Sequence, residues 1–95
     1  MSIGQVVYSK RGRDKGLAFL VVRAEDGFAW LSDGKTRPLC RPKKKKSAHV
    51  QPTNNIIYDL RDKLAADGHV TDSDIKKSLA PYKTAGSTGG VKNLV

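Results

Sequence analysis

The run Leu17–Arg23, LAFLVVR, places apolar side chains at both parities of an extended chain. A strand of that kind must be covered on both faces, so a second layer has to lie against at least part of its sheet. Asp26-Gly27 and Phe28–Ser32 follow, then Asp33-Gly34 and Thr36–Arg41. Asp-Gly between strand-forming runs favours a type I′ hairpin turn, so the spacing predicts a three-stranded meander with two tight turns. Upstream, Val6, Val7 and Tyr8 are strand formers. Downstream, Pro42 has no N–H to donate, four lysines follow, and Ala48–Gln51 supplies one more edge strand. The chain reads as mostly β. About five short strands with tight turns are expected to curl into a small barrel, which removes exposed edges.

The pattern becomes helical after Pro52. Thr53 or Asn54 is expected to cap a helix carrying Ile56, Ile57, Leu60 and Leu64, with Gly68 at its C′ position. Thr71 caps a second helix, Val70 and Ile75 form a hydrophobic staple around it, Ile75 and Leu79 make its stripe, and Pro81 ends it. Helices this short are marginal alone, so their stripes must pack on the barrel. The expected organisation is a barrel over 1–52, a helical extension packed on it over 53–83, and a flexible Gly/Ser/Thr-rich tail over 84–95.

The chain carries eighteen Lys/Arg against nine Asp/Glu, a net charge of +9. Residues 1–52 hold twelve of those cations and four of the acids, so the excess sits almost wholly in the β half. That is the footprint of a polyanion binder. Cys40 is the single cysteine, which excludes a disulfide framework and a cysteine zinc site within the monomer. His49 and His69 lack a ligand cluster, the Asp67/Asp72/Asp74 region lacks the calcium-loop pattern, and no phosphate-cradling or nucleophile motif is present. The expectation is a non-enzymatic binding module: no cofactor, no metal, no small-molecule substrate and no membrane span. With no secretory signal in MSIGQVV, it is expected to be cytoplasmic and monomeric.

The charge concentrates in two segments. In GQVVYSKRGRDKG, residues 4–16, Lys10, Arg11, Arg13 and Lys15 crowd a loop that follows a strand. Ser9, Lys10, Arg11, Arg13 and Lys15 are the expected nucleic-acid contacts there. Gly12, Asp14 and Gly16 shape the turn, with Asp14 pairing to Arg11 or Arg13 or accepting backbone N–H groups. The second segment holds Lys35, Arg37, Arg41, Lys43, Lys44, Lys45 and Lys46, with no acid from Lys35 to Lys46. Such a block repels itself unless an anion relieves it. Phe28 and Trp30 share one face of their strand. They are expected to be core or covered by the helices, in preference to a base-stacking platform.

The run GQVVYSKRGRDKGLAFLVV resembles a KOW motif, a strand–loop–strand unit of several ribosomal proteins and transcription factors. With DGKTRPLCRPKKKKSAHVQPT it is similar to bacterial KOW-domain RNA-binding proteins related to large-subunit ribosomal proteins, over about residues 3–52. The resemblance implies an SH3-like barrel, RNA binding with ribosomal RNA as target class, and Gly12 as the motif's glycine. It also implies an alternative, a protein-interaction module that contacts ribosomal or transcription proteins.

Overall fold

Five strands form one antiparallel sheet, and two helices lie against it. The structure, a computed structural model, describes residues 1–66 and 68–86; the expected tail beyond 86 lies outside them. The strands are β1 (Gln5–Ser9), β2 (Ala18–Glu25), β3 (Phe28–Ser32), β4 (Lys43–Lys46) and β5 (Val50–Ile56), with α1 (Tyr58–Ala65) and α2 (Asp72–Gly86) after them. A 3₁₀ turn, Ser47–His49, joins β4 to β5. The spatial order is β4-β3-β2-β1-β5. The ladders do not join β4 to β5, so the hydrogen-bonded sheet is open.

It is nonetheless strongly curved. Lys45 on β4 donates from Nζ to Ser9 Oγ at the end of β1, 2.8 Å away. Those strands are three places apart, roughly 14 Å in a flat sheet, which is further than a lysine reaches. The register shift between Val21 and Arg23 is the bulge that helps β2 bend.

Both faces of β2 are covered, as its double parity requires. Val7, Phe19, Val21, Ala29, Leu31 and Val50 form the inner cluster of the curved sheet. Val6, Ala18 and Leu20 face outward and are sealed by Leu60 of α1 and by Ile75 and Leu79 of α2. Thr71 caps α2 as expected: Asp74 N–H donates to Thr71 Oγ1 (3.1 Å) and Thr71 N–H to the Asp74 carboxylate (3.0 Å). Val70 packs with Ile75 in the same cluster.

The Asp26-Gly27 hairpin forms as read, with both residues at positive φ (51° and 80°), the type I′ signature. Asp33-Gly34 does not make a second hairpin, and Thr36–Arg41 is not a strand. Asp33 Oδ1 accepts from the N–H groups of Lys35 (2.9 Å) and Arg37 (2.8 Å), which turns the chain back on itself. The fourth strand is instead the lysine run, paired to β3 from Phe28↔Lys46 to Leu31↔Lys43.

Three further boundaries differ. Strand β5 runs through Pro52 to Ile56, because it is an edge strand bonded only to β1 and tolerates a missing donor. Thr53 is therefore no cap: its Oγ1 donates to Val6 O (2.7 Å) across the sheet. Pro81 lies inside α2 rather than at its end. The turn beyond it places Tyr82 against the outer cluster, where its carbonyl accepts from the Tyr8 hydroxyl (3.3 Å).

Candidate nucleic-acid interface

The loop after β1 is built by its own backbone. Gly16 N–H donates to Ser9 O (2.8 Å), Lys15 N–H to Gly12 O (3.2 Å) and Leu17 N–H to Asp14 O (2.9 Å). Gly12 takes φ 79°, a conformation that strains any residue with a Cβ. The space around it is ordinary, since an added Cβ would meet only Lys45 Nζ at 3.8 Å. Backbone conformation rather than crowding thus selects this glycine. Lys10, Arg11, Arg13 and Lys15 all project into solvent.

Ser9 and Asp14 hold the loop from beneath. Ser9 is 2% exposed. Its hydroxyl donates to Arg11 O (3.0 Å) and accepts from Lys45 Nζ, which also donates to Arg11 O (2.7 Å). Asp14 is buried and pairs with Arg37 (3.1 Å), not with Arg11 or Arg13. Three of the expected contact residues, Ser9, Arg37 and Lys45, are therefore engaged within the protein. They tie the loop to β4 and to the 33–42 loop.

That second loop is anchored just as firmly. Ser32 Oγ donates to Arg37 O (2.8 Å), and Leu39 N–H donates to the Asp72 carboxylate at the start of α2 (2.7 Å). Lys35 and Arg41 are exposed on it. Along β4, alternation divides the lysines. Lys45 points inward to Ser9, and Lys43 shares its parity, whereas Lys44 and Lys46 stand on the outer face opposite Trp30 and Phe28.

His49 reports how closely the two segments meet. Its imidazole pKa lies below the ordinary value, through partial desolvation first and then through Arg11, Lys46, Lys45 and Lys10. Cations separated by more than thirty residues in sequence act on one ring. Acids do not offset them there, since Asp14 and Asp33 are both turned into the scaffold.

Phe28 and Trp30 are half-buried, but neither is core and the helices do not cover them. Cations cover them instead. The Arg23 guanidinium lies 4.5 Å from the Trp30 ring centre and Lys44 Nζ 4.4 Å from that of Phe28. Arg23 was outside the sequence-based set. Its signal was parity: it pairs with Trp30 across the β2–β3 ladder once the bulge is counted.

No family model matches the chain, and no curated protein matches it. Among the described residues, no helix is long and apolar enough to cross a membrane.

Proposed function

We propose that this chain is an RNA-binding module, a KOW-type SH3-like barrel that docks its cationic loop and β4 edge on structured RNA. The observation that carries the reading is that the two basic segments are joined, Lys45 Nζ to Arg11 O (2.7 Å) and Lys10 N–H to His49 O (2.9 Å), while Asp14 and Asp33 are used internally. A phosphate backbone relieves the repulsion between those segments. Arg11 and Arg13 can each grip a phosphate bidentately, while Lys10, Lys15, Lys43 and Lys46 act as point charges. The strand order, the bent β2 and the 3₁₀ turn between β4 and β5 support the barrel reading. These groups recognise phosphate, 2′-OH and shape, which suits folded RNA; ribosomal RNA is the target class on the strength of the motif. Cytoplasmic action without a catalytic step belongs to the same proposal.

The competing protein-interaction reading needs an apolar docking face. The aromatic face it would use is overlaid by Arg23 and Lys44, which favours a polyanion. The test is Arg11→Ala with Arg13→Ala. Both side chains are exposed, so the thermal midpoint stays within about 2 °C while affinity for a folded ribosomal RNA fragment falls at least about tenfold. Unchanged affinity refutes the assignment of this loop.

A further inference from the structure

The outer face of β3 carries an aromatic pair that the helices leave uncovered. Phe28 and Trp30 alternate with the inner residues Ala29 and Leu31, so their rings stand on the opposite side. The helices occupy another part of that side, over Val6, Ala18 and Leu20. Lys44 Nζ bridges the two rings, at 4.4 Å from Phe28 and 5.4 Å from Trp30, and Arg23 covers Trp30 from the β2 side. Lys46 pairs with Phe28 across the ladder. Of the two carboxylates at the hairpin end of this strip, Glu25 is held by Arg23 and Asp26 stands in the turn itself. A hollow of about 290 Å³ adjoins Phe28, bordered by Ala24, Ser47 and the hairpin residues Glu25 and Asp26.

We propose that this strip binds unpaired nucleobases, as a contact that adjoins the loop surface around His49 and shares Lys46 with it. It rests on the RNA reading above and extends it from phosphate to base. Bases stack on Trp30 and Phe28, Arg23 and Lys44 move from the rings to the flanking phosphates, and Lys46 adds charge beside Phe28. Spacing selects the ligand. Residues two apart on a strand stand about 6.8 Å apart, twice the 3.4 Å rise of stacked nucleotides. Successive bases reach both rings only when splayed, which a single strand permits and a duplex does not. Positive charge on both flanks matches the phosphates of such a strand.

Trp30 is the chain's single tryptophan, so its fluorescence reads the strip directly. Titration of the full chain with an oligouridylate is expected to quench that emission. Phe28→Leu is expected to weaken oligouridylate binding by about 5- to 150-fold, the range of one lost base stack, while Phe28→Tyr retains it. Read by the anisotropy of a labelled oligouridylate, because these two variants lack the chain's tryptophan, Trp30→Phe retains binding and Trp30→Leu does not, which separates stacking from loss of fold. Affinity for a blunt RNA duplex stays unchanged in all four variants. Two outcomes overturn the inference while leaving the RNA reading intact: the duplex binds but oligouridylate leaves Trp30 emission unaltered, or polyglutamate quenches as strongly as oligouridylate does. Binding of neither RNA overturns the RNA reading and this inference together.

Discussion

Asp14 and Arg37 offer the sharpest test of how the cationic loop is held. Their charged groups lie 3.1 Å apart, with the Asp14 side chain 10% exposed and that of Arg37 29% exposed. At an effective dielectric of about 20, two unit charges at that separation attract by about 5 kcal/mol before desolvation. Desolvation cancels much of this, and Arg37 Nε is buried without a partner, which lowers the return further. The net coupling should be about 1–2 kcal/mol. Removing Arg37 costs more than removing Asp14, because it strands the more deeply buried charge. Arg37→Met leaves a buried carboxylate unpaired and should destabilise by about 2 kcal/mol, a fall in Tm of roughly 8–16 °C for a domain of this size. Asp14→Asn should cost about 1 kcal/mol, since the guanidinium can turn to water. The double variant should be less destabilised than the sum of the two, by the coupling energy. Chemical denaturation of all four proteins measures this. Strict additivity, or an Arg37→Met protein that melts with the parent, refutes the claim that this pair anchors the loop.

Other expectations follow from single contacts. An added Cβ at Gly34 would lie 2.3 Å from Asp72 O at a φ of +75°, whereas at Gly16 it meets nothing. Gly34→Ala should therefore lose more than about 2 kcal/mol and Gly16→Ala only about 1 kcal/mol, read by urea midpoints. The Asp74 carboxyl is held below its ordinary pKa by the Thr71 backbone N–H and then the Thr71 hydroxyl. Its support for α2 is complete above the ordinary carboxylate pKa and fades as pH falls through the lower folded value, so Asp74→Asn should flatten that part of an acid-unfolding curve. Bound phosphate neutralises the cations that help depress His49, so its NMR-monitored pKa should rise when RNA is added. An unmoved titration would place the RNA elsewhere.

Local signals were legible where a single residue type dictates geometry. Asp26-Gly27 gave the first hairpin because both positions need positive φ, and Thr71 gave the cap of α2 because its hydroxyl meets an orphan N–H. The double parity of β2 predicted two layers, and both are present. Where long-range partners decide, sequence was silent. The same dipeptide at 33–34 became a loop because Asp33 captures backbone N–H groups and Asp72 of α2 holds Leu39. Four lysines became a strand because the free edge of β3 offered a ladder and Ser9 offered Lys45 a buried acceptor. In the candidate site, the exposed cations of the 10–15 loop were readable from charge alone. The division of labour was not: Ser9, Arg37 and Lys45 serve as ties through contacts 23 to 36 residues away in sequence.

The central claim is that phosphates meet the surface formed by the 10–15 loop and β4. Its most direct test is the salt dependence of RNA affinity for the parent chain and for the Arg11→Ala, Arg13→Ala double variant. Five to eight phosphate contacts predict a log–log slope of roughly −4 to −7 on duplex-like charge density, made shallower by about 2 in the double variant. A parent slope near zero, or a double variant with the parent's slope and affinity, contradicts the account.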